Sequence, residues 1–246
     1  MFQVFPTAQA VAKHLASLLY SRIQQNPQIV LGLATGSTME PVYEELAALL
    51  KAKPLNLSEL RSFNLDEYLG LAPTHEQSYN YFMHHHLFNR IGLNDSQVTL
   101  PQGLCADSAR ECEQYSAAIA KAGIDFQLLG IGSNGHVGFN EPGTSFASLT
   151  HVVELTEKTR IDNGRFFSSL AEVPTHAITM GIKDILSAKE IALVITGAHK
   201  AQTVLNLYNS EVSETMPASA LKNHSKVHYL IDADAASLLP PQARAI

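Results

Sequence analysis

Length, composition and charge restrict the classes of protein to which this chain can belong. The chain has 246 residues, of which 46% are hydrophobic and 16% are charged, so its composition is globular and excludes a disordered chain. A formal net charge of -6 argues against nucleic acid as a partner, because a phosphate backbone requires a basic surface. No apolar run approaches the ~18 residues of a membrane span, so no membrane partner is expected either.

The first part of the chain alternates predicted helices and strands. Apolar residues at helical spacing predict a helix over roughly residues 8 to 25, with Thr7 as its cap. An almost unbroken apolar run over 28 to 34 is typical of a strand buried on both faces, and a Gly/Ser/Thr turn leads from it into a second helix. The hydroxyls of Ser37 and Thr38 can bind an anion at that helix start, although a plain helix entry is the commoner use of such a turn.

Two acidic residues follow the next predicted strand, within residues 60 to 70. Asp66 and Glu67 are candidate site residues, because acidic groups at the carboxyl end of a strand often face a ligand. Capping of the next segment is the alternative role for both. The predicted helix over 78 to 92 carries three consecutive histidines, residues 84 to 86. Neighbouring positions on a regular helix differ by about 100°, so these histidines cannot converge on one ion, and no metal site is expected.

The most informative stretch is LLGIGSNGHVGFNEPG, residues 128 to 143. A buried strand there breaks into a loop that carries His136 and Glu141. An imidazole and a carboxylate held on one loop can form an acid–base pair, although a capping histidine and a solvated glutamate would have the same spacing. The glycines are expected to permit positive φ or close backbone approach, and they are Gly130, Gly132, Gly135 and Gly138.

The remaining segments of the chain continue the alternation of strands and helices. Arg160 and Arg165 lie on a predicted helical segment over 159 to 167, and either can be merely solvated. Lys200 lies near a helix start, which conflicts with the helix dipole unless an anionic ligand binds there. The tail PPQARAI is predicted to be frayed. Asp107 is predicted to cap a helix that ends near Gly123. Further strands are predicted over 150 to 156, 176 to 182, 190 to 196 and 226 to 232.

This alternation predicts a single α/β domain with a mainly parallel sheet and helices on both faces. The chain lacks a GxGxxG motif with the context of a dinucleotide site, so NAD is not expected. Cys105 and Cys112 are not at metal-ligand spacing and are expected to be reduced thiols in a cytoplasmic protein.

Several ordered motifs together resemble the glucosamine-6-phosphate deaminase family. They cover nearly the whole chain, and their order makes the resemblance far more specific than one glycine motif. The motifs are ATGSTMEPVYEEL (34 to 46), FNLDEYLGL (63 to 71), SYNYFM (78 to 83), GIGSNGHVGFNEPGT, TRIDNGRFF (159 to 167), HAITMGI (176 to 182) and ITGAHKA (195 to 201).

The resemblance implies a Rossmann-like three-layer α/β/α fold with a lid over roughly residues 150 to 180. It implies conversion of glucosamine 6-phosphate and water to fructose 6-phosphate and ammonia, without a metal or organic cofactor. A 6-phosphogluconolactonase-like hydrolase and a non-catalytic sugar-phosphate sensor remain the alternatives. Short members of the family resemble monomers, so a monomer is favoured, although a homo-oligomer stays open.

The resemblance also assigns roles to individual residues. Asp66 is the base that moves the C2 proton, and His136 opens the ring with Glu141 as its carboxylate partner. Many members have Asp before the Gly-His pair, whereas this chain has Asn134, a neutral amide that can hydrogen-bond but adds no charge. The substrate phosphate is assigned to Ser37, Thr38, Arg165 and Lys200.

Overall fold

The middle layer of the fold is a sheet of eight parallel strands. The computed structural model describes residues 2–164, 167 and 169–245. In chain order the strands are β1 (Phe2–Phe5), β2 (Val30–Leu33), β3 (Arg61–Asn64), β4 (Asp66–Tyr68), β5 (Val98–Thr99), β6 (Phe126–Leu129), β7 (His151–Glu154), β8 (His176–Thr179), β9 (Ile191–Ile195), β10 (Val227–Asp232) and β11 (Arg244–Ala245). In the described part, the large sheet has the order β11-β1-β10-β9-β6-β2-β3-β5, and its strand pairings are parallel.

Helices connect the strands and cover the sheet. They are α1 (Ala8–Gln25), α2 (Glu40–Ala52), α3 (Tyr79–Met83), α4 (Asn89–Ile91), α5 (Ser108–Ala122), α6 (Glu157–Gly164), α7 (Ile182–Leu186) and α8 (Ala201–Asn209). The central strands β2, β6 and β9 are buried along their whole length, as their apolar runs predict. The predicted α/β fold with a mainly parallel sheet is therefore confirmed.

Side-chain caps define the starts of two predicted helices. The hydroxyl of Thr7 accepts a hydrogen bond from Ala10 N at 3.1 Å, and Asp107 Oδ1 accepts one from Arg110 N at 3.0 Å. The second of these helices, α5, ends at Gly123, whose φ of 71° is in the left-handed region that favours glycine. Local capping chemistry therefore determined these boundaries, and both predictions are confirmed.

A second, antiparallel sheet has the strand order β4-β8-β7. The segment from 60 to 70 was predicted to begin as one strand, but it contains two strands in different sheets. The change occurs at Leu65, because its N–H donates to Leu33 O at 3.0 Å while its carbonyl accepts from Met180 N at 2.7 Å. This crossing places Asp66 opposite Thr179 of β8.

Two strands of the small sheet, β7 and β8, come from the two ends of the segment that was predicted to be a lid. The base of this segment is anchored by the buried carboxylate of Asp184, whose Oδ2 accepts from Thr150 N at 2.5 Å and from Ser116 Oγ at 2.9 Å. Farther along, Arg160 Nη2 donates to Leu170 O at 3.1 Å, so this arginine holds two parts of the segment together. Movement of the segment stays a prediction.

The two chain ends differ from the sequence-based expectation. The tail was predicted to be frayed, but Arg244–Ala245 form β11, which pairs with β1. The strand β1 was itself not predicted, because four residues carry too little periodicity.

The regular helix predicted over 78 to 92 is wrong in part, since His84–Phe88 form a π-helix between α3 and α4.

Candidate active site

A cavity of about 720 Å³ lies at the carboxyl edge of the large sheet. Its lining includes the segments that follow β2, β3, β6 and β9, which are neighbours in the sheet. Residues of α3 and of the π-helix complete the lining on one side. Because open α/β sheets bind ligands beyond the carboxyl ends of their strands, this cavity is the candidate active site.

The predicted site residues fall into two groups. The first group lines the cavity and comprises Ser37, Thr38, Asp66, His136 and Lys200. The second group contacts His136 and comprises Asn134 and Glu141. The remaining predicted residue, Arg165, lies outside the described residues. Residues from four separate segments of the chain thus come together around one cavity.

The backbone of the loop from 130 to 138 packs closely around His136. A Cβ at Gly132 would lie 2.2 Å from Cε1 of the His136 ring, so a side chain at this position would displace the imidazole. Gly138 has a φ of 58°, and a Cβ there would lie 2.8 Å from Thr179 Oγ1. The expectation is wrong for Gly130, which has neither a positive φ nor an atom within 4 Å of an added Cβ.

His136 and Glu141 form a close charge contact. His136 Nδ1 lies 3.2 Å from Glu141 Oε1, but the angles do not satisfy hydrogen-bond geometry, so we describe the contact as electrostatic. Asn134 Nδ2 donates to the other carboxylate oxygen, Oε2, at 2.5 Å, and Asn134 Oδ1 accepts from His136 N at 3.3 Å. The neutral amide therefore holds the carboxylate and the loop backbone, and Glu141 supplies the charge beside the imidazole.

Asp66 is a buried acid in the wall of the cavity. Only 6% of the residue is exposed, and burial raises its pKa to about 8, with a further contribution from the like charge of Glu67. A carboxylate with a raised pKa is a stronger base than usual. A pKa near the working pH suits a group that must both take and return a proton.

Glu67 does not line the cavity, because successive residues of a strand face opposite sides. Its Oε1 accepts from Tyr68 N at 2.8 Å and from Tyr79 N at 2.9 Å, and its Oε2 accepts from Asn80 N at 2.8 Å. Tyr79 and Asn80 are the first residues of α3. Glu67 therefore has the capping role that was the alternative for both acids, whereas Asp66 faces the cavity.

Another part of the cavity combines hydroxyl groups, helix starts and a cation. The turn that contains Ser37 and Thr38 leads into α2, and Met39 N closes it on Gly36 O at 2.9 Å. Lys200 precedes α8, and its Nζ donates to Ile131 O at 2.9 Å. Helix starts and an ammonium group both favour an anion, so this part of the cavity suits a phosphate.

Besides Phe82, four aromatic residues in the lining were not predicted as site residues. The rings of Tyr79 and Phe139 have centroids 6.1 Å apart and planes within 10° of each other. Tyr68 lies two residues after Asp66, and the alternation of a strand could have indicated that both face the same side. The other rings are brought there only by tertiary packing. The aromatic wall, as this set is called below, consists of Tyr68, Tyr79, Phe139 and Phe167.

Two further histidines, His86 and His199, also line the cavity and were not predicted. Within residues 2–164, 167 and 169–245, no group of three or more His, Cys, Asp or Glu side chains is arranged to hold a metal ion. In the same part of the chain, no helix has the length and apolar character needed to cross a membrane.

The fold and the cavity define a class of α/β enzyme with acid–base groups beside a site for a small anion. The chain belongs to the family described as glucosamine-6-phosphate isomerases/6-phosphogluconolactonase, which matches residues 6–229. A glucosamine-6-phosphate deaminase of Bacillus pumilus is 49% identical over 235 residues, which cover 95% of this chain and 98% of the relative. A homologue of the same name from Shouchella clausii is 48% identical over 236 residues, or 96% of each chain.

Solved structures show the same similarity in three dimensions. A monomeric glucosamine-6-phosphate deaminase superposes with a TM-score of 0.93 at 44% identity, covering 96% of this chain and 100% of the other. The 6-phosphogluconolactonase of Trypanosoma brucei superposes with a TM-score of 0.77 at 22% identity, covering 98% of each chain. At 22% identity, the similarity to the lactonase shows only that the two proteins share a fold.

Proposed function

We propose that this protein is a glucosamine-6-phosphate deaminase, which converts glucosamine 6-phosphate and water to fructose 6-phosphate and ammonia. The observation that carries the proposal is that Asp66 and His136 line one cavity, with Glu141 3.2 Å from the imidazole. Relatives at 44 to 49% identity share this name over nearly the whole chain. They support it over a lactonase, whose structural likeness is more distant.

Ring opening is assigned to His136. The reaction needs a group that removes the proton from O1 and protonates O5, and an imidazole can exist in both states near neutral pH. The carboxylate of Glu141 lies 3.2 Å from Nδ1 and can orient and polarise the imidazole. Asn134 holds that carboxylate in place through the hydrogen bond at 2.5 Å.

Isomerisation is assigned to Asp66. Its carboxylate removes the C2 proton of the open chain and returns a proton to C1, so that the amine-bearing carbon becomes an imine. Water then adds to this imine, and the C2–N bond breaks to release ammonia and leave the ketose. Burial makes Asp66 a stronger base for the first step and a usable proton donor for the second.

The phosphate is assigned to the part of the cavity lined by Ser37, Thr38 and Lys200. Support comes from two helix starts and one ammonium group, all of which favour an anion. Arg165 remains assigned to the phosphate on the basis of the family motif. We also propose closure of the segment 150 to 180 over the bound sugar phosphate.

The test is the release of ammonia from glucosamine 6-phosphate by the purified protein, measured with and without a metal chelator. We expect turnover in both conditions, together with formation of fructose 6-phosphate. Hydrolysis of a 6-phosphogluconolactone without ammonia release would instead establish the lactonase alternative. Binding of the sugar phosphate without turnover would indicate a sensor.

We propose further that the enzyme acts as a monomer in the cytoplasm. The similarity to a monomeric deaminase supports the first point, and the free thiols of Cys105 and Cys112 are consistent with the second. Light scattering tests the assembly state. A stable hexamer would contradict this part of the proposal without affecting the reaction.

A further inference from the structure

We propose that Glu67 is a positioning residue for Asp66, the base in the function proposed above. It acts in two ways: it places a fixed negative charge beside Asp66, and it anchors the helix start that keeps the Asp66 side of the cavity apolar. Glu67 does not line the cavity and so is not expected to touch the substrate.

The hydrogen bonds of Glu67 hold its carboxyl group rigidly inside the protein. Only 3% of the residue is exposed, and its two carboxylate oxygens accept three backbone N–H bonds at 2.8 to 2.9 Å. Burial raises the pKa of Glu67, and the three amide donors oppose that rise because they favour the ionised form. A negative charge on Glu67 acts strongly on Asp66, because the buried surroundings screen it less than water would.

The same bonds anchor the aromatic wall. Glu67 accepts from the first two N–H groups of α3, and Ser78 Oγ accepts from Tyr81 N at 3.0 Å, so the helix start is held from two sides. This fixes Tyr79, whose ring packs on Tyr68 with centroids 4.8 Å apart and on Phe139. Tyr68, Tyr79 and Phe139 line the cavity together with Asp66, of which only 6% is exposed. Both causes of the unusual proton affinity of Asp66, burial and a like charge, therefore depend on Glu67.

The other titratable groups around Asp66 do not substitute for this charge. Tyr79 approaches from α3 and Tyr115 from α5, and burial raises the pKa of both phenols well above their ordinary value, so they stay neutral. His136 and Lys200 also line the cavity, but neither side chain can supply a negative charge. Glu67 is thus the anion that acts on Asp66 from within the wall.

The experiment compares wild type, Glu67→Gln and Glu67→Asp by the pH dependence of kcat/KM for ammonia release. Glutamine keeps the shape but loses the charge, and we expect the acidic limb of its profile to move to lower pH by about one unit. Aspartate keeps the charge, but its shorter side chain cannot reach the amides of α3, so turnover should fall while its limb moves less than that of the glutamine variant. Circular dichroism and thermal unfolding establish that each variant is folded.

A Glu67→Gln variant with reduced turnover and an unmoved limb would overturn the proposal, because a merely structural role predicts that result. A second measurement needs no variant: carboxyl carbon-13 NMR of the wild type should show Glu67 ionised across the pH range in which Asp66 titrates. A protonated Glu67 there would also overturn it. If the wild type releases no ammonia, the proposed function fails, whereas the NMR titration still decides the claim about Glu67.

Discussion

Replacing Gly132 by alanine tests whether the position of His136 limits turnover. The added Cβ would lie 2.2, 2.3 and 2.4 Å from Cε1, Nε2 and Nδ1 of the ring, compared with about 3.5 Å for an ordinary contact. The backbone cannot easily yield, because Gly132 N donates to His136 O at 2.9 Å and Gly132 O accepts from Gly135 N at 3.0 Å. The ring must therefore move by about 1 Å or more.

A displacement of about 1 Å in a reacting group can reduce the rate about 100-fold, which corresponds to about 2.7 kcal/mol in the activation free energy. We expect kcat for ammonia release, measured at saturating glucosamine 6-phosphate, to fall by about this factor. Thermal unfolding of the same sample separates the effect from loss of folded protein.

Gly130→Ala is the matched control from the same loop. An alanine Cβ there meets no atom within 4 Å, so the imidazole is not displaced and kcat should stay within a few-fold of wild type. Because Gly130 lines the cavity, an increase in KM is compatible with the argument. A folded Gly132→Ala variant with kcat close to that of wild type would refute the placement of His136 in the reaction.

Four further predictions address other parts of the molecule. Lys200→Ala should weaken sugar-phosphate binding, measured by calorimetry, by about 1.5 to 3 kcal/mol, because a charge-assisted contact is lost. Asp66→Asn should instead abolish turnover, with the dissociation constant of the sugar phosphate changed only a few-fold. Burial raises the pKa of Asp66 to about 8, so the folded protein retains a proton that the unfolded chain releases, and stability falls as pH rises from about 4 to about 8. The Tm of Asp66→Asn relative to wild type should therefore increase over that window, and a constant difference would contradict the burial argument. Glu141→Gln removes the anion that lies 3.2 Å from His136 Nδ1 and orients the imidazole, so kcat for ammonia release should fall. Asp107→Ala removes the cap of α5 and should lower the free energy of unfolding by about 1 kcal/mol, or a few degrees in Tm, without changing kcat.

Local features of the chain were predictable from the sequence. The apolar runs that became β2, β6 and β9 are typical of buried strands. Thr7 and Asp107 cap helices because their side chains bond to amides three residues away. The alternation of these elements was sufficient to predict a parallel sheet. The motif around His136 also provided candidate residues, because a histidine and an acid on one glycine-rich loop can form an acid–base pair.

Other features depended on contacts between residues distant in the chain. At Leu65 the chain passes from the large sheet to the small one, and no periodicity in the sequence marks this point. The change depends on hydrogen bonds of Leu65 with the carbonyl of Leu33 and the amide of Met180, which are distant in the chain. The same crossing decides that Asp66 faces the cavity and Glu67 faces α3, a division of roles that two adjacent acids do not reveal by themselves.

The distribution of charge around the site was likewise decided by tertiary structure. The sequence provided His136, Glu141 and Asn134, but the spacing could not show that the amide holds the carboxylate at 2.5 Å and contacts the histidine only through its backbone. Likewise, the unusual proton affinity of Asp66 arises from burial against side chains supplied by several segments, and burial is a property of the packed chain. The sequence by itself thus determined the family, the fold class and most of the candidate residues, whereas packing decided which of them meet and how strongly each holds its proton.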